Sequence, residues 1–180
     1  EDEARAAFTR FGGVPCILER RLALECEISV VLARGADGQV VSFPAGENEH
    51  RNGIRHTTTV PARLPAALAA EAERLACAVA ERLRYVGVLG VELFVAEGGR
   101  LFVNELAPRP HNSGHWTLDA AEASQFDQQV RGIWGAVLAA PQLLQNPHAG
   151  GAADPLHVEG QRAGPLGLLG SGDALREPRV

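Results

Sequence analysis

The chain has 180 residues, 46% hydrophobic and 22% charged, which suits one soluble globular domain, or one plus part of another, and excludes a disordered chain. Its formal charge of −5, with no lysine- or arginine-rich run, argues against a nucleic-acid backbone as partner. No stretch approaches the roughly 20 apolar residues of a membrane span, and the acidic start EDEARAAF is no signal peptide.

In chain order, FGGVPCILERRL passes from a Gly-Gly pair into a short apolar run that reads as a strand. CEISVVLAR follows with Ile28, Val30 and Leu32 on one face, a period of two. Asp37-Gly38 is a hairpin signal, and VVSFP is the return strand. GENEHRNG has no apolar periodicity and reads as a polar loop; the β-branched IRHTTTVPA reads as another strand. Residues 65–84 are the clearest helix, with Leu68, Ala72, Leu75, Val79 and Leu83 forming one stripe at steps of three and four. Pro65 suits its first turn and Gly87 lies just past its end.

VGVLGVELFVA is apolar on nearly both faces and belongs in the middle of a sheet. EGG turns it into the next strand, 100–104. A second helix is expected over 123–135, with Phe126, Val130, Ile133 and Trp134 on its inner face. From Pro141 the composition shifts to Gly, Pro, Ala and His, as in a linker, and GPLGLLGSG and REPRV read as the start of a further unit. Strands joined by hairpins, not by βαβ crossovers, predict an α+β fold with a mostly antiparallel sheet.

Cys16, Cys26 and Cys77 are odd in number and lack CxxC spacing, as in reduced thiols of a cytoplasmic protein. Methionine is absent even at position 1, so the chain is expected to be a fragment or a processed piece of a longer protein; the family resemblance described below implies truncation at both ends.

Two carboxylates stand out. Glu92 sits within an apolar strand, and Glu105 ends the strand that returns beside it. A charge in such a place is costly unless paired or bound to a metal, and a hard divalent cation is the usual resolution for two facing acids. Asn104 adds a neutral oxygen beside them. Spacing alone leaves a second reading open, with both acids in solvent and paired to arginines. The stretch LFVNELAPRPHNSGHWT then places Arg109 between two prolines, and two histidines around an Asn-Ser-Gly turn. His111 and His115 have no third ligand at a characteristic distance and Pro110 disfavours a helix, so zinc is set aside. Trp116 suits either stacking on a substrate ring or packing in the core.

The text RYVGVLGVELFVAEGGRLFVNELAPRPHNSGHWTLDAAEASQFDQQVRGIWG resembles the catalytic half of ATP-grasp enzymes of purine biosynthesis. It is most similar to the N5-carboxyaminoimidazole ribonucleotide synthetase family, with HNSGHWT as the specific part. Upstream, CILERRLALECEISVVLARGADGQVVSFPAGENEHRNGI resembles that family's nucleotide-side segment. The resemblance implies the end of a lid subdomain in 1–18 and an ATP-grasp catalytic core, mostly antiparallel sheet with packed helices, in 19–140. A linker and the start of a small β-rich C-terminal domain would fill 141–180. It implies ATP and Mg²⁺ as cofactors. The implied substrates are bicarbonate and 5-aminoimidazole ribonucleotide, joined through carboxyphosphate in purine synthesis.

By the same resemblance, Glu19, Arg20, Arg21 and Leu22 would form the hinge whose backbone reads the adenine edge. Glu27 would accept the ribose hydroxyls, and His50 would lie near the nucleotide. Glu92 and Glu105 would hold Mg²⁺, with Asn104 alongside. Arg109 would bind bicarbonate or carboxyphosphate, a match for its fork of donors. His111, Asn112, Ser113 and His115 would line the acceptor pocket, one histidine taking the amine proton.

Ala107 departs from relatives that carry asparagine there. The glycine-rich lid loop and phosphate-gripping lysines would precede Glu1, so the piece alone is expected to be inactive. The expected partners are the small-molecule substrates and a second copy in a homodimer, with no nucleic acid and no membrane. Formate-dependent glycinamide ribonucleotide transformylase is the sister reading; that family typically has Asp and Thr where Asn112 and Ser113 stand. A non-catalytic nucleotide-binding module is the reading from another class.

Overall fold

The strand expected from Ile28, Val30 and Leu32 runs over Leu24–Arg34 (β1) in the computed structural model, which describes residues 2–51, 54–144 and 156–159. It pairs with Val40–Ser42 (β2) across the Asp37-Gly38 turn. Gly46–Arg51 (β3), Ile54–Val60 (β4), Gly87–Ala96 (β5), Arg100–Ala107 (β6) and Leu156–Glu159 (β7) complete a sheet of seven strands among the described residues. Its order is β6-β5-β1-β3-β4-β7, β2 pairs with β1 beside this path, and every pairing is antiparallel. The α+β expectation with a mostly antiparallel sheet holds.

The period of two gives the sheet two faces of different character. Ile28, Val30 and Leu32 of β1 and Leu89, Val91, Leu93 and Val95 of β5 pack on Ala72, Ala76 and Ala80 of a helix at Ala66–Leu83 (α2). Small side chains let that helix sit close to the strands. Its last turn closes at Arg84, which adopts a left-handed φ of 49°, so the helix ends before Gly87. On the other face Val31, Ala33, Val88, Phe43 and Val60 pack with Trp116, Ala120, Ala121 and Leu138. Trp116 is a core residue there, edge-on to Phe43 with ring centroids 5.8 Å apart.

Several sequence expectations need correction. The stretch read as a strand around Cys16–Leu22 is irregular, and Ile17 and Leu18 lie exposed. No strand among the described residues pairs with it, so its backbone groups are left to water. The supposed polar loop GENEHRNG is instead β3 through Arg51, with Asn52 and Gly53 outside the described residues. Its polarity fits a strand because its side chains find partners. Asn48 donates to Ser29 and accepts from Thr58, and Glu47 accepts from Arg63. The acidic start forms a helix, Asp2–Arg10 (α1), that buries nothing among the described residues.

The second helix spans Gln125–Trp134 (α4), after a short turn of helix at Thr117–Ala120 (α3). It is turned round relative to expectation. Gln125, Gln128 and Gly132 are buried, while Val130, Ile133 and Trp134 are 67%, 66% and 85% exposed. The glutamines win the inner face because each finds backbone to bond, as described below. Strand β7 pairs with β4, which carries the sheet into the stretch read as a linker; 145–155 and 160–180 lie outside the described residues. No helix among the described residues is long and apolar enough to cross a membrane.

Candidate active site

Glu92 and Glu105 are direct cross-strand partners in the β5–β6 hairpin, so they share one face of the sheet. The pairing then skips from Glu92–Glu105 to Leu93–Val103, leaving Asn104 as the extra residue of a bulge. A bulge re-aims side chains, and this one adjoins the acidic pair in the chain. Burial, with the Glu105 charge as second cause, pushes the Glu92 carboxyl up to about 7. Arg55 and Arg109 oppose that rise.

The pair suits a hard divalent cation. Two oxygen-bearing acids and an amide would be the protein's share, and Mg²⁺ usually takes its remaining ligands from water and substrate phosphates. Among the described residues no group of three or more His, Cys, Asp and Glu forms a ready metal cluster.

The loop after β6 is folded onto the same face. His111 lies against Gly90 of β5, where an added Cβ would come within 2.9 Å of the His111 Cβ. The ring is wholly buried. Its Nδ1 accepts from the Ser113 amide (3.4 Å) and lies 2.8 Å from Ser113 Oγ. An accepting Nδ1 leaves the hydrogen on Nε2, which points at Glu92 Oε1 from 3.6 Å and has no hydrogen-bond partner. Burial, with Arg55, Arg109 and His115 nearby, holds the His111 imidazole down to about 4, so it is neutral at pH 7. At 3.6 Å, with the imidazole neutral, this is a close contact and not an ion pair.

Gln125 at the start of α4 grips this loop with both ends of its amide. Its Oε1 accepts from His111 N (2.9 Å) and its Nε2 donates to His111 O (2.8 Å). Thr117 Oγ1 donates to Gly114 O (2.6 Å) and accepts from Gln125 N (2.9 Å). Gly114 fits only because it has no Cβ, which would lie 2.7 Å from Gln125 Oε1. Ser124 caps α4 in a capping box with Asp127. Gln128 repeats the grip on Ala139, donating to its carbonyl (2.7 Å) and accepting from its amide (3.2 Å).

Of the loop residues expected to line an acceptor pocket, His111 and Ser113 are therefore buried and engaged with each other. Asn112 is exposed and His115 half-buried. Asn112 Oδ1 accepts from Arg55 Nη1 at 2.6 Å. Burial brings the Arg55 guanidinium down to about 10, with Glu92 opposing. Sequence reasoning missed Arg55 because nothing in IRHTTTVPA marks one arginine of a strand as facing a site 57 residues away. The bulge at Asn104 and the buried Gln125 and Gln128 of α4 were missed for the same reason: their partners are remote in sequence.

Elsewhere, Glu27 and His50 come together, Oε2 to Nδ1 at 3.2 Å, toward one end of the same face. Arg109 is exposed, with Nη1 donating to Pro110 O (3.1 Å). Glu19, Arg20 and Arg21 are exposed and Leu22 half-buried, in the irregular stretch. A cleft of about 740 Å³ beside α2, lined by Glu25, Cys26, Glu47, Arg63 and Glu71 among others, contains none of these residues. The expected chemistry lies on the opposite face of the sheet.

The sequence pattern of the ATP-grasp domain matches residues 1–126. An N5-carboxyaminoimidazole ribonucleotide synthase of Bacillus subtilis is 45% identical over 143 residues, 79% of this chain and 37% of its own length. The crystal structure of an N5-carboxyaminoimidazole ribonucleotide synthetase from Thermus thermophilus superposes with a TM-score of 0.74 at 40% identity, over 79% of this chain and 40% of its own. That of an N5-carboxyaminoimidazole synthase from Aspergillus clavatus, in complex with ADP and 5-aminoimidazole ribonucleotide, gives 0.62 at 32% identity, over 68% and 33%. The chain thus spans well under half the length of these relatives.

Proposed function

The chain belongs to the ATP-grasp family, and from that premise we propose that it supplies the catalytic core for carboxylating 5-aminoimidazole ribonucleotide. The reaction consumes ATP and bicarbonate, passes through carboxyphosphate and gives N5-carboxyaminoimidazole ribonucleotide for purine synthesis. One observation carries this reading. The HNSGHWT loop is clamped against β5, on the strand that carries Glu92 of the Glu92–Glu105 pair, where an acceptor would meet the metal-bound phosphates.

Phosphoryl transfer needs alignment and charge neutralisation more than covalent help. Glu92, Glu105 and Asn104 would hold Mg²⁺, which when bound neutralises the ATP phosphates. Glu27, oriented by His50, would accept the ribose hydroxyls, and the hinge at Glu19–Leu22 would meet the adenine edge with its backbone. Arg109 would turn the free part of its fork to bicarbonate or carboxyphosphate. Asn112 and His115 would contact the ribonucleotide. Burial lowers the His115 pKa, so the ring is neutral near pH 7 and can take the amine proton. His111 and Ser113 act from behind, holding the loop against Glu92.

A cytoplasmic location and a homodimer belong to the same reading. The apolar outward residues of α4 support the homodimer, and sedimentation at several concentrations tests it. The function itself is tested by ADP release from the full-length protein. Release is expected only with ATP, bicarbonate and the aminoimidazole ribonucleotide together. Glu105→Gln should slow it by at least about a hundredfold, the scale of losing one charge-stabilising group. Release driven instead by formate and glycinamide ribonucleotide would overturn the reading.

A further inference from the structure

Arg55 reaches the acceptor loop from three strands away, across the same face of the sheet. It projects from β4, opposite His50, and its Nη1 donates to Asn112 Oδ1 at 2.6 Å. Arginine carries five N–H donors and no acceptor. Only the oxygen of the Asn112 amide can therefore face it, and the amide has one orientation available. Its Nδ2, the donor end, is turned away from Arg55. Asn112 is also the exposed residue between two buried ones, His111 and Ser113.

We propose that Arg55 is a positioning residue for the acceptor substrate: it fixes the Asn112 amide so that Nδ2 donates to an acceptor atom of the ribonucleotide. This rests on the function proposed above and adds the determinant of substrate orientation. Without Arg55 the amide turns freely, and half of its orientations present an oxygen where the substrate also presents one. Arg55 itself need not touch the ribonucleotide. Its cation also lies close enough to Glu92, His111 and His115 to act on each of them electrostatically, so it ties the acceptor loop to the acidic pair.

The test is steady-state ADP release by the full-length protein with the aminoimidazole ribonucleotide varied, on Arg55→Leu, Asn112→Ala, the double variant and Asn112→Asp. Arg55→Leu and Asn112→Ala should each raise KM for the ribonucleotide about tenfold, the worth of one neutral hydrogen bond. The double variant should be no worse than either, because one interaction is lost once. Arg55→Lys, which keeps a donor-only cation, should restore most of the loss.

Asn112→Asp separates orientation from packing. It keeps an acceptor for Arg55, so its melting temperature should equal or exceed the parent's. It has no N–H to donate, so its KM should rise as for Asn112→Ala. A parental KM for Asn112→Asp, or additive losses in the double variant, would overturn the role of Arg55. If the parent released no ADP in response to the ribonucleotide, the proposed function would fall instead.

Discussion

Helices α2 and α4 cover opposite faces of one sheet and do so by different physics. Helix α2 buries Ala72, Ala76 and Ala80 and turns Glu71, Arg74 and Arg82 to solvent. Helix α4 buries glutamines and turns Val130, Ile133 and Trp134 outward. The α2 face is held by area removed from water, which is non-directional and tolerates small shifts. The α4 face is held by paired amide hydrogen bonds, which fix positions. The difference teaches where the molecule needs adhesion and where it needs geometry. Geometry is concentrated on the side that carries Glu92, Glu105 and the HNSGHWT loop.

The sharpest way to break this comparison is to place a charge under α2. Ala76→Asp sets a carboxylate at a wholly buried position with no partner, and its short side chain cannot reach water. A loss of more than about 4 kcal/mol in denaturant unfolding is expected, enough to unfold many domains of this size. A well-folded Ala76→Asp protein would mean that α2 is loosely held.

Next in size is Gln125→Leu, which keeps bulk but removes both amide bonds to His111. The buried His111 N–H and C=O lose the partners shown here, for a cost of about 2–4 kcal/mol. Gln125→Glu should recover part of it, since a carboxylate still accepts from the N–H. If Gln125→Leu were as stable as the parent, α4 would be held by packing as α2 is, and the contrast would collapse.

The smallest effect sharpens the comparison through pH. Glu47, beside α2, has its carboxyl held below the ordinary 4.5 chiefly by the hydrogen bond from Arg63. A depressed pKa contributes stability that is full above the unfolded value and fades as pH falls through the lower folded one. Arg63→Ala should therefore leave a melting curve less stable at pH 7 and converge with the parent in acid below pH 4.5. A constant difference down to strong acid would remove Glu47 as the cause.

Much of the α2 face was legible in the sequence. Ile28, Val30 and Leu32 alternate, the helical stripe recurs at three and four, and Asp37-Gly38 marks a turn, although Leu83 of that stripe is exposed and Ala76 and Ala80, outside it, are buried. These signals are local, and burial by area needs only local patterns. The hairpin geometry that makes Glu92 and Glu105 neighbours could be read for the same reason. The α4 face was not legible. A periodic stripe reports that a helix has two sides without saying which side meets the sheet, and glutamines become interior residues only when remote backbone meets them. Strand β3 was hidden likewise, since Asn48 is satisfied by Ser29 and Thr58 on neighbouring strands. The alternation of Glu47 and Glu49 with Asn48 and His50, just before a β-branched run, was the available hint.

The bulge at Asn104 has a consequence beyond the acids it serves. Among the described residues β6 is the outermost strand on its side of the sheet. A regular outermost strand offers an unbroken row of N–H and C=O groups on which a neighbouring chain can nucleate cross-β growth. The extra residue breaks that row midway and adds local twist. The irregularity next to the two carboxylates thereby also interrupts a template for cross-β growth.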